Sequence, residues 1–145
     1  MPYNGIADGL HMVVCRSSGK LVDHYGALDV GNRTGLQGPH DMGPIVIHLN
    51  TDGLKWEYVE SSGRQWTTVG SPSSDEAAAI ARMNTAAMNP TYDLLVNNCE
   101  QFARWAITGK RESKQLQAAG WLTAGAALAY ILTRPDSDDD DASDA

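Results

Sequence analysis

The clear strand patterns of this 145-residue chain all fall before residue 70, and its helical patterns begin at residue 73. Side chains repeat every two residues along a strand and about every 3.6 along a helix. A block of strands followed by helices calls for an α+β fold, a small antiparallel sheet packed against helices, not an alternating parallel sheet. "IVIHL", Ile45 to Leu49, is the plainest strand: β-branched, apolar and held between Pro44 and Asn50. Met12–Cys15 reads as a short buried strand, and Asp23–Val30 as a second one after a turn at Ser18-Gly19. Residues 31–44 are rich in glycine and carry two prolines, which makes them a loop. "KWEYVE" alternates, with Trp56 and Tyr58 on the face opposite Lys55 and Glu57. "RQWTTV" is expected to pair with it as a hairpin across Ser61-Ser62-Gly63.

Ser73 and Glu76 have the spacing of a capping box ahead of an alanine-rich helix that runs to about Met88, with Pro90 as its stop. Tyr92–Val96 reads as a short strand or a turn. A second helix begins near Asn98, with Gln101 placed to close a capping box, and ends at Gly109. Residues 110–115 form a charged linker, Leu116–Leu132 is a run of small and apolar residues without charge, and residues 133–145 are an acidic, low-complexity tail.

Hydrophobic residues make up 42% of the chain, enough for one cored domain. The net charge of -7 speaks against nucleic acid as a partner, because phosphate binding needs a basic surface. Two cysteines, Cys15 and Cys99, are too few for a disulfide framework. No basic, apolar leader opens the sequence, so the expectation is an intracellular, reducing setting in which a thiol stays reduced.

Cys99 would be the first residue of the second helix. There it would feel the positive end of the helix dipole and unpaired backbone N–H groups, which favour thiolate and could hold an oxyanion. At helical spacing Cys99, Phe102, Ala103, Ala106 and Ile107 form one apolar stripe, so the thiol faces the sheet. A buried cysteine is in general inert, and needs an imidazole to become a nucleophile. His24 and His48 both fall on expected strands, His24 sharing a face with Gly26, Leu28 and Val30, and His48 with Val46. His11, ahead of a strand, and His40, in the loop, read as surface residues.

"DHYGALDVG", "IVIHLN" and "NNCEQFARWAITG" occur in that order. Together they resemble the lecithin:retinol acyltransferase family, whose members carry an H-Y/W-G/A strand, a VIHL strand and an NCEHF helix start. The likeness covers about Ala7 to Gly109. Histidine, histidine and then cysteine reverse the papain order, and the resemblance implies a permuted papain-like catalytic domain over residues 7–109. It makes Cys99 the nucleophile, His24 the general base and His48 the group that orients His24, with Asn98, Glu100 and Tyr25 as supporting residues. It implies thiol-dependent transfer or hydrolysis of lipid acyl esters through a thioester, as in a phospholipase A or acyltransferase, with no cofactor or metal. The chain departs from the family pattern at Gln101, where histidine is usual, at Asp29, where an apolar residue or tyrosine is common, and in the longer gap between the two histidines.

Several members of that family carry a C-terminal hydrophobic helix. Leu116–Leu132 fits such an anchor, and the basic residues Lys110, Arg111 and Lys114 ahead of it would keep the catalytic domain on the cytoplasmic side. The alternative is a third soluble helix on a cytoplasmic protein. Two other functions stay open: a cysteine peptidase or amidase acting on cell-wall or peptide amides, and a non-catalytic binding module of the same fold.

Overall fold

A computed structural model describes residues 5–16, 23–40, 42–88, 98–118 and 120. The chain forms five strands, β1 (Gly9–Cys15), β2 (His24–Val30), β3 (Ile45–Asn50), β4 (Gly53–Tyr58) and β5 (Thr67–Val69), and two helices, α1 (Glu76–Met88) and α2 (Cys99–Thr108). The strands make one antiparallel sheet in the order β4-β3-β2-β1-β5. Strands first and helices after them give an α+β architecture.

Both faces of the sheet are covered. On one, Leu10, Met12, Ala27, Ile45, Ile47 and Leu49 pack with Ala79 and Met83 of α1 and with Phe102, Ala103, Ala106 and Ile107 of α2. On the other, Val13, Leu28 and Val46 pack beneath Val59 and Trp66. Strands buried on both sides lose their polar alternation, which is why β1 and β3 read as continuous apolar runs. β4, at the sheet edge, keeps it.

Three sequence expectations are corrected. "RQWTTV" does not pair with "KWEYVE": β5 lies across β1 at one edge, with Val13 opposite Thr68, while β4 pairs with β3 at the other. The two residues Thr51 and Asp52, between the paired Asn50 and Gly53, close a shorter hairpin than the expected one. Alternation within a strand selects its face and leaves its partner open. The cap of α1 is Asp75, whose carboxylate accepts from Ala78 N–H at 3.0 Å. Glu76 turns instead to Arg33, at 2.8 Å, so the expected capping box does not form. An anionic cap also suits the helix dipole. His11 lies within β1, is buried and bonds the Ala7 carbonyl at 2.9 Å, whereas His40 is exposed in its loop.

Residues 1–113 and 114–145 form two compact units. In the second, residues 114–118 are helical, and the rest of the expected 116–132 helix, apart from residue 120, lies outside the described residues. So do Ser18-Gly19, Pro90 and Tyr92–Val96. Among the described residues no helix is long and apolar enough to cross a membrane.

Asp29 explains how the glycine-rich loop is anchored to the sheet. It is fully buried, and its carboxylate accepts from the Arg33 N–H at 2.7 Å and from the Thr34 N–H at 3.0 Å and hydroxyl. A buried carboxylate with this many donors holds the loop's first turn. Asp29→Ala is expected to lower stability by about 1–3 kcal/mol, the usual range for stranding such donors. Urea unfolding measures it, and an unchanged midpoint would show that the loop is held by other contacts.

Candidate active site

α2 starts where the sequence asks it to. Asn98 has an extended backbone, its side chain accepts from Gln101 N–H at 2.9 Å, and the Gln101 side chain accepts from Asn98 N–H at 3.3 Å. At the far end Gly109 takes the left-handed conformation (φ 80°) and donates to the Trp105 carbonyl at 2.8 Å, a geometry that glycine adopts without strain. Both ends are thus fixed, and Cys99 is the first helical residue.

The Cys99 thiol is buried against the start of β2. Its sulfur lies 3.8 Å from the Asp23 carbonyl and also interacts with the backbone N–H of Tyr25, the two residues that flank His24. Burial pushes the thiol pKa up. The N–H groups of Tyr25, Glu100 and Cys99 pull it down, and the Glu100 carboxylate adds to the rise. The helix start therefore does not deliver a standing thiolate as the sequence suggests, because desolvation outweighs the N–H groups. A buried thiol of this kind needs a base to become a nucleophile.

His24 and His48 meet. His24 Nε2 lies 2.8 Å from His48 Nδ1, and the two rings are edge-on with centroids 5.0 Å apart. The register explains it. Ala27 pairs with Ile47 and Leu28 with Val46 across β2 and β3, so the continued ladder puts Gly26 beside His48 and His24 on the diagonal, all on one face. Gly26 is needed there: a Cβ would stand 2.6 Å from Val46 Cγ1 and 3.4 Å from His48 Cβ. Trp66 covers the pair, its ring 5.6 Å from that of His24 and 6.0 Å from that of His48. Sequence spacing does not single out Trp66, because a tryptophan three residues beyond a turn carries no signal of what it will cover.

The supporting residues divide. Glu100 is fully buried and receives Arg104 Nε at 3.0 Å and the Ser113 hydroxyl at 2.7 Å. It ties the segment after α2 back to the residue beside the thiol. Tyr25 lies on the helix side of the sheet under the Arg104 guanidinium, and burial raises its hydroxyl pKa, with the Glu100 carboxylate adding to the effect. Both act on packing around the thiol. A polar cleft lined by His24, Asn50, Asp52 and Arg64 opens beside the histidine pair. An apolar cleft of about 190 Å³, lined by Leu36, Ile47, Leu54, Trp56, Ile80 and Met83, contains none of the three candidate catalytic residues. Among the described residues no group of three or more His, Cys, Asp and Glu side chains is placed to hold a metal ion.

His48 carries a testable consequence. Burial lowers its pKa below the ordinary 6.5, the Glu57 carboxylate opposes this, and Arg64 reinforces it. The unfolded chain therefore binds a proton at a pH where folded His48 does not. This stability is fully present above pH 6.5 and is lost as pH falls below it, toward the depressed folded value. The thermal midpoint should fall between pH 7 and 5, and His48→Gln should flatten that dependence. Equal slopes in the two proteins would contradict the assignment.

Comparisons with protein-family models, with curated proteins and with solved structures find no match for this chain, so the site is read from its own geometry.

Proposed function

We propose that this chain is a cysteine-dependent acyl-transfer enzyme of permuted papain-like type, acting on lipid acyl esters. The observation that carries the reading is the 2.8 Å contact between His24 and His48 at the strand start whose backbone holds the Cys99 thiol. Two of the three residues touch, and the third lies against the backbone on either side of His24. Their order along the chain is the one that the lecithin:retinol acyltransferase resemblance gives.

With Nε2 of His24 engaged by His48, Nδ1 is the nitrogen that serves the thiol. In the first half-reaction the Cys99 proton passes to His24 Nδ1 and the sulfur attacks the ester carbonyl. Backbone N–H groups at the start of α2 receive the oxyanion. His24 then returns the proton to the departing alcohol oxygen as the C–O bond breaks, leaving a thioester on Cys99. Water gives hydrolysis, and a second alcohol or amine gives transfer. His48 holds the His24 ring and shares the charge of its imidazolium. The uncharged run Leu116–Leu132 supports a lipid surface as the place of work.

The polar lining of the cleft at His24 favours a second reading, hydrolysis of peptide or other polar amides by the same thiol chemistry. Ester and amide substrates offered side by side separate the two.

Kinetics test the roles. Cys99→Ala should abolish turnover of a short-chain phospholipid, and His24→Ala should lower it by at least about a thousandfold, as for loss of a base in other triads. His48→Gln should cost less, because an amide still bonds His24. Turnover that survives Cys99→Ala would place the nucleophile elsewhere.

A further inference from the structure

His48 has two ring nitrogens, and the sheet gives each its own neighbour. Nδ1 faces His24 Nε2 at 2.8 Å and the Asn50 side-chain oxygen Oδ1 at 3.2 Å. Nε2 faces Glu57 Oε1 at 3.5 Å. That oxygen is buried and receives no hydrogen bond among the described residues. The approach is built by the β3–β4 ladder: Lys55 stands opposite His48 and Glu57 opposite Val46, so Glu57 is the same-face diagonal neighbour of His48.

A neutral imidazole carries its proton on one nitrogen and a lone pair on the other. A proton on Nδ1 would leave the Nε2 lone pair aimed at the Glu57 carboxylate, which is repulsive. A proton on Nε2 is attracted by the Glu57 carboxylate 3.5 Å away and leaves the Nδ1 lone pair for His24. His24 must then donate through Nε2–H, which leaves Nδ1 as its basic nitrogen. We infer that Glu57 is a positioning residue that selects the Nε2–H tautomer of His48 and thereby makes His24 Nδ1 the base.

This inference rests on the acyl-transfer reading and extends it to a fourth residue. Protons balance simply. The thiol proton moves to His24 Nδ1, His24 keeps its Nε2–H bonded to His48, and Glu57 stays ionised. Its negative charge stabilises the new imidazolium through His48. The same tautomer requires the Asn50 amide to turn over from the orientation in which Oδ1 meets Nδ1, so that its NH₂ donates there, since two acceptors would otherwise face one another. The charged groups around His48 are Glu57 and Lys55 from β4 and Arg64 from the segment ahead of β5, with Asp52 and Arg64 also lining the cleft beside His24. Only Glu57 acts to favour a proton on Nε2.

The test uses the whole chain and two readouts that need no substrate: the ¹⁵N shifts of the His48 ring, which report its tautomer, and the rate of Cys99 alkylation by iodoacetamide against pH. The wild type should show Nε2–H on His48. Glu57→Gln should shift the population toward Nδ1–H and slow alkylation near pH 7 by about 10- to 100-fold, the range known for losing a group that orients a metal-bound histidine. Glu57→Asp should restore much of the rate, and adding His48→Gln to Glu57→Gln should slow it little further than the worse single change. Nδ1–H on His48 in the wild type, or Glu57→Gln with wild-type tautomer and alkylation rate, would overturn the inference. Alkylation that ignores His24→Ala would overturn the base assignment itself, whatever tautomer His48 shows.

Discussion

The pairing of β2 with β3 is the constraint on which the site depends. Its register, fixed by Ala27 against Ile47, puts two histidines 24 positions apart on one face and on neighbouring strands. A slip of one residue would turn either imidazole to the other side of the sheet, among Ile45, Ile47 and Leu49. Gly26 secures the pairing where His48 needs room, since any larger residue would strike Val46. Burial on both faces makes such a slip costly, because every apolar side chain would change partners with it.

Around that ladder the chemistry is set by desolvation. Burial keeps Cys99 a thiol and His48 a neutral imidazole, against the pull of the helix N–H groups on one and of Glu57 on the other. In the proposed chemistry a neutral pair at rest would avoid a standing buried charge, and the proton would move only when substrate draws the sulfur to its carbonyl. Glu100, fully buried one residue beyond the thiol, is paired with the Arg104 guanidinium and accepts from the Ser113 hydroxyl, so the carboxylate beside the thiol is bonded within the fold.

Much of this is legible in the sequence where a short-range rule applies. α2 can be read to the residue because Asn98, Gln101 and Gly109 each satisfy a local backbone need. The β-branched "IVIHL" reads as β3, and the faces of His24 and His48 follow from alternation. What cannot be read depends on distant neighbours. The place of "RQWTTV" beside β1 is decided by which edge is open, and Trp66 reaches the histidines only through that placement. The thiol's protonation is illegible for the same reason, since helix position is local while desolvation belongs to the packed state. Glu57 reads as a plain exposed-face residue until β3 is laid beside β4.

The central claim is that Cys99 carries an acyl group. Intact and peptide mass spectrometry after brief incubation with a phospholipid bearing an isotopically labelled acyl chain tests it most directly. The account predicts one added acyl chain on the Cys99 peptide, removed by hydroxylamine as a thioester is, and absent in Cys99→Ala and His24→Ala. Product formation with no adduct on Cys99, or an adduct on Cys15, would contradict it.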